Sequence, residues 1–168
     1  FSVALKQGLI PANPCDAAEL PKVARHEITP LTDEEIPLFL AAIESSPMKN
    51  AYALCLFAGL REGECLGASW PQVDFEKGRI TISQQLQKEK KKGGRYYISS
   101  STKSGRPPVI ELPPVAVESL RAERVKQMEN QLKAGTAWSN PDDLIFTDET
   151  GKHYAISTFY KHFKQIAS

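Results

Sequence analysis

The chain is short of most things that would announce a chemistry. It has three cysteines, Cys15, Cys55 and Cys65, widely spaced and with no C-x-x-C pair. That indicates neither a disulfide framework nor a cysteine zinc site, and it fits a reducing cytoplasm. No apolar run approaches the ~20 residues that a membrane-spanning helix needs. The net charge is only +1 over 168 residues, so bulk charge makes no case for a polyanionic partner. Any such case must come from where the charges sit. The three histidines, His26, His153 and His162, have no spacing that indicates metal ligation or a catalytic pair. There is no phosphate-cradling glycine loop, no G-x-S-x-G elbow and no metalloprotease helix. Residue 1 is a phenylalanine and no signal peptide follows it, so the chain is expected to be a piece of a longer polypeptide.

What is present is the pattern of a mixed helix and sheet domain. "FSVALKQGLI" reads as the last turns of a helix, which "PANP" ends. Pro11, Pro14, Pro21 and Pro30 give the next stretch the density of a linker. Thr32 and Glu35 then form a capping-box pattern, and Ile36, Leu40 and Ile43 recur at helical spacing. Residues 48–60 are apolar nearly all round and predict a central helix, closed by Gly59 in a left-handed cap. A short helix from Glu62 to about Ala68 follows. "RITISQQL" (Ile80, Ile82 and Leu86 on one face), "RYYIS" and "VIEL" read as three strands of an antiparallel meander, with turns at "EKKKGG" and "TKSGRPP". "PPVAVESLRAERVKQMENQLKAG" predicts a long helix with Val117, Leu120, Met128 and Leu132 as its buried stripe. A last helix places Phe159, Phe163 and Ile166 on one side.

Two cations sit at rigid places. Arg61 follows the apolar helix and Lys103 lies in the turn before the third strand, with Arg106 beside it. Two fixed cations converging on one spot suit a phosphate: arginine offers paired donors, lysine a compact charge or a proton. Glu64 shares a helix face with Arg61 and either pairs with it or orients a further catalytic group; the alternative is a purely structural pair closing the helix junction. "KEKKKGGR" is the most basic segment, and it reads either as a solvated loop or as the tip of a ribbon that straddles a DNA groove. The candidate DNA contacts are therefore Lys88, Lys90, Lys91, Lys92 and Arg95 in the hairpin, and Ser104 and Arg106 in the following turn. Tyr52, Tyr96, Tyr97, Tyr154 and Tyr160 all read as packing residues, and none is marked as a nucleophile.

The stretches "LFAGLREGECLGASWPQVDFEKGRITI", "TKSGRPPVIELP" and "LIFTDETGKHYAISTFYKHFKQI" together resemble the catalytic domain of the tyrosine recombinases, the phage-integrase family. The style is that of integrases of phages and conjugative transposons. The resemblance implies a mainly helical α+β fold with a three-stranded antiparallel sheet. It implies that residues 1–29 end a core-binding domain and its linker, and that 30–168 are the N-terminal part of the catalytic domain. It places Arg61 on the scissile phosphate, Glu64 in support of the active site, and Lys103 as the donor of a proton to the leaving 5′-oxygen. The family's nucleophile is a tyrosine that forms a 3′-phosphotyrosine link, so no metal and no nucleotide cofactor is implied. The partner is double-stranded DNA, on which the full-length protein is expected to act as a homotetramer in the cytoplasm.

The chain departs from the family at one point. It has no H-x-x-R box: His26, His153 and His162 are followed three residues later by Thr29, Ile156 and Gln165. Tyr160 comes too early to be the nucleophile. The expectation is a recombinase fragment holding the first half of an active site and inactive alone. The alternatives are a non-catalytic DNA-binding or protein-interaction module, and an unrelated α+β domain whose Arg61–Glu64 pair is structural.

Overall fold

A computed structural model describes residues 1–19, 29–100 and 105–166. It divides into two compact units, Phe1–Leu31 and Thr32–Ser168. The first holds a short helix α1 (Ser2–Lys6) and a 3-10 turn over Pro14–Ala17, capped by the Asn13 side chain on the Cys15 N–H. No helix among the described residues is long and apolar enough to cross a membrane.

The second unit carries the core. It begins with α2 (Glu35–Ile43), and the Thr32–Glu35 box is present in both directions. The Thr32 N–H donates to Glu35 Oε2 at 2.8 Å, and the Glu35 N–H to Thr32 Oγ1 at 3.3 Å. Next comes α3 (Lys49–Ala58), buried over five consecutive residues from Asn50 to Leu54. Gly59 ends it with φ 63° and ψ 27°, a conformation that a Cβ would strain. The chain turns at once into α4 (Glu62–Leu66), and later into α5 (Pro114–Ala134) and α6 (Ile156–Ile166). Leu54, Leu66, Ile80, Ile82, Leu86, Leu120, Ile145 and Phe146 are fully buried between them.

The strands differ from the expected meander. "RITISQQL" is broken at Ile82 and Ser83 into β2 (Arg79–Thr81) and β3 (Gln84–Lys88). β2 lies between β1 (Val73–Asp74) and β5 (Val109–Glu111) in a three-stranded antiparallel sheet. Among the described residues β3 pairs only with β4 (Tyr96–Ser100), as a separate hairpin in the register Leu86↔Ile98. Two glutamines account for the break. Gln72 Nε2 donates to Ser83 Oγ, and Gln84 Nε2 donates to Gly67 O at 2.8 Å, so the chain there is tied by side chains to α4 and its exit turn. Ile80, Ile82 and Leu86 all reach the core, as their spacing predicts.

The buried face of α5 is corrected more sharply. Ala116, Leu120, Glu123 and Gln127 point inward, while Met128 is 58% and Leu132 84% exposed. Both inward polar groups are fully engaged, which is how burial is tolerated. Glu123 accepts from Asn50 Nδ2 at 2.8 Å and pairs with Lys126 at 3.1 Å. Gln127 accepts from the Trp70 indole and donates to Leu144 O, Ile145 O and Thr147 Oγ1. In α6, Phe159 is buried and stacks on Tyr52 with ring centres 4.4 Å apart.

Candidate nucleic-acid interface

Arg61 stands at a junction that its neighbours fix. Gly59 turns the chain, Leu60 anchors it in the core, and Arg61 takes an extended conformation as the N-cap of α4. Glu64, one helical turn on, reaches back: its Oε2 accepts the Arg61 N–H at 3.0 Å and its Oε1 accepts from Arg61 Nη1 at 2.9 Å. One carboxylate thus satisfies a helix-end donor and holds a guanidinium. The two partners sit in unequal surroundings. The Glu64 side chain is 16% exposed and the Arg61 side chain 85%. The acid is embedded and the cation projects, with most of its five donors turned to solvent.

What α4 rests on decides what Arg61 faces. A Cβ at Gly67 would lie 2.5 Å from Gln85 C and 2.6 Å from Gln85 Cα, and against Leu86 N. A Cβ at Gly63 would lie 2.9 Å from Leu86 O. Two glycines four residues apart therefore let the backbone of β3 lie directly on α4. The G-x-x-x-G of "REGECLG" carries that signal in the sequence, and neither glycine is among the predicted site residues.

That docking brings Arg61 and the basic hairpin to one groove of about 620 Å³, whose lining includes Arg61, Glu62, Gln87, Lys88 and Lys90. Lys88, Lys90, Lys91, Lys92 and Arg95 are all exposed. The tip is shaped rather than loose. Glu89 Oε2 accepts the Arg95 N–H at 3.1 Å and pairs with Lys91 at 3.0 Å, while the Glu89 N–H donates to Arg95 O at 3.0 Å. Lys88 lies over the Tyr96 ring, 5.5 Å from its centre. With five cations against one carboxylate, the segment 84–100 has a local net charge of +4 in a chain whose total is +1. Arg106 is exposed beside β5. Lys103 and Ser104 lie outside the described residues, as does His26.

The model of the phage integrase family matches residues 30–168. A XerC-like tyrosine recombinase of Caldanaerobacter subterraneus subsp. tengcongensis is 29% identical, over 99% of this chain and 46% of its own length. Among solved structures, the Tn1549 transposon integrase in complex with a circular intermediate DNA superposes with a TM-score of 0.73 at 21% identity, over 99% of this chain and 53% of that one. A lambda integrase tetramer bound to a Holliday junction gives 0.52 at 19% identity, over 99% of this chain and 42% of that one. The chain thus spans about half the length of these relatives, and the structural likeness establishes a common fold. With its fold matched in this way and residues 30–168 covered by the family model, the chain belongs to the phage integrase family of tyrosine recombinases.

Proposed function

We propose that residues 30–168 are the phosphate-gripping half of a recombinase catalytic domain, preceded by the end of a core-binding domain and its linker. The observation that carries this reading is the posture of Arg61: an exposed guanidinium, held by an embedded carboxylate, at the edge of a groove whose other wall is basic. In this reading Arg61 neutralises the non-bridging oxygens of the scissile phosphate as negative charge builds on them. Glu64 orients it. Lys103, which precedes β5 in the sequence, protonates the departing 5′-oxygen. The attacking tyrosine is none of the five in this chain, and the bond energy of the cut strand is kept in a 3′-phosphotyrosine link until it is rejoined. Lys88, Lys90, Lys91, Lys92, Arg95, Ser104 and Arg106 hold the flanking phosphates. The whole protein acts on double-stranded DNA in the cytoplasm as a homotetramer. The lambda integrase tetramer, whose fold this chain shares, supports that assembly.

The 168-residue chain alone is then expected to bind duplex DNA without cutting it, for want of an H-x-x-R box and a nucleophile. The test is a suicide DNA substrate followed on a denaturing gel, together with binding measured across a salt series. Binding that weakens steeply with salt, with no covalent adduct, is the expected result. Arg61→Ala should make the slope of log affinity against log salt shallower by about 0.9, the value of one neutralised phosphate. A covalent adduct on the unaltered chain, or a slope that Arg61→Ala leaves unchanged, would refute the assignment.

A further inference from the structure

The hairpin β3–β4 has two unlike faces. Gln84, Leu86 and Lys88 alternate onto the side that meets the domain: Gln84 bonds Gly67 O, Leu86 is buried, and Ile98 across from it packs on the core. The other face carries Gln85 and Gln87 on one strand, both half-buried and both on the lining of the Arg61 groove, and their register partners Ser99 and Tyr97 on the other. All four are hydrogen-bonding and uncharged, which is the chemistry of a base-reading surface. The charges of the hairpin are gathered at its tip and rim instead.

We propose that this face, which borders the Arg61 groove, reads base edges in the DNA major groove, with Gln87 addressing an adenine. The inference rests on the DNA-binding function proposed above and adds to it the element that selects sequence. A carboxamide matches adenine at two points, accepting from N6–H and donating to N7. Gln87 is held for that task. Tyr97 donates its hydroxyl to Gln87 Oε1 at 2.9 Å, which fixes the plane of the amide while leaving its N–H donors and a second oxygen lone pair open. The dimensions agree. Strand residues two apart are ~6.8 Å from one another, about two base-pair steps, and a pair of strands ~4.8 Å apart enters a groove ~12 Å wide. Gln85 and Gln87 therefore address bases two steps apart. The basic tip supplies the phosphate contacts that hold the ribbon in the groove, and Glu89, paired with Lys91, opposes them little.

The test is selection of duplexes from a randomised pool by the full 168-residue chain, followed by the affinity ratio of the best sequence to one changed at a single position. The unaltered chain should favour adenine at one position by about 5- to 150-fold, the worth of one bidentate base contact. Gln87→Ala should bring that ratio close to one. Tyr97→Phe should lower it part of the way, because the amide is then free to turn. Replacing Lys90, Lys91 and Lys92 by alanine should lower both affinities together and keep the ratio. A chain that binds DNA with steep salt dependence but no base preference overturns the inference and leaves the proposed function standing. A preference that survives Gln87→Ala does the same. A chain that binds no duplex at all sinks both.

Discussion

Alanine at Gly67 is a perturbation whose sign separates two explanations of that glycine. Gly67 has φ −95° and ψ −3°, which alanine adopts freely. On backbone entropy and helix propensity alone, Gly67→Ala should therefore stabilise the protein by about 0.5–1 kcal/mol. The packing says the opposite. The new Cβ would lie 2.5 Å from Gln85 C and 2.6 Å from Gln85 Cα, both backbone atoms of a paired strand that cannot rotate away. Separation at van der Waals distance needs about 1 Å more, so α4 and β3 must part or the hairpin must tilt. Overpacking of this kind costs about 1–3 kcal/mol, occasionally more. Taking the upper end and subtracting the propensity gain leaves a net cost of about 2 kcal/mol. For a chain of this size that lowers Tm by roughly 4–8 °C.

The same geometry fixes a graded control. A Cβ at Gly63 meets Leu86 O at 2.9 Å and otherwise only Leu86 C at 4.0 Å, so Gly63→Ala should lower Tm by less than Gly67→Ala does. Gly59→Ala meets nothing within 4 Å but is strained by φ 63°, so its effect should be about 1 kcal/mol and independent of the hairpin. Thermal and urea unfolding of the three variants gives the order. Because α4 carries Arg61 and β3 carries the basic tip, Gly67→Ala should also weaken DNA binding at temperatures where it remains folded. A Gly67→Ala protein as stable as the unaltered chain, or more so, would refute the docking of α4 on β3 and with it the shared groove.

Glu64→Ala removes the acceptor for a helix-end N–H, so the urea midpoint should fall by the equivalent of about 0.5–2 kcal/mol; an unmoved midpoint would mean that the carboxylate serves Arg61 alone. Alanine at Lys90, Lys91 and Lys92 together should flatten the salt dependence of DNA binding by about 0.9 in slope for each phosphate these lysines neutralise, whereas an unchanged slope would make the run a solvated loop. Burial raises the Tyr52 and Tyr154 hydroxyls from 10.0 to about 12, aided by Cys55 in the first case and by Glu123, Asp148 and Glu149 in the second. The folded state therefore keeps two protons that the unfolded chain gives up near pH 10. Stability should be whole below that pH and decline between pH 10 and about 12. In Tyr52→Phe the decline should be shallower, and an identical alkaline profile would contradict the raised value.

The parts of the fold that were legible in the sequence are those fixed by local rules. The Thr32–Glu35 box, the Gly59 cap and the extent of α5 each follow from a few neighbouring residues, and each is found. The buried face of α5 was not legible, for a definite reason. A count of apolar residues at helical spacing selects Met128 and Leu132, but the helix turns Glu123 and Gln127 inward because Asn50, Trp70 and three partners around residues 144–147 are there to satisfy them. Those partners come from other elements, so no window along the helix contains them. The split of the strands has a similar cause. Periodicity aligns Ile80, Ile82 and Leu86, while the break between β2 and β3 is written in hydrogen bonds that join Gln72 to Ser83 and Gln84 to Gly67, pairs well separated along the chain.

The position of Arg61 unites the legible and the illegible. Its place at the lip of an apolar helix shows in the sequence, and so does its partner Glu64. A structural pair would be expected to share its burial, since taking a charge out of water carries a cost that a counter-ion buried beside it offsets. The two side chains divide instead, at 85% and 16% exposure, and the embedded one is the acid. Glu64 also holds the Arg61 backbone N–H, so the carboxylate is anchored independently of the guanidinium it carries. An anchored acid beneath a projecting arginine leaves the outer donors free to meet an anion without rebuilding the pair. Two glycines then set the distance from that arginine to a hairpin that carries five cations. The sequence shows each of these residues, but only the close approach of α4 to β3 makes them parts of one surface.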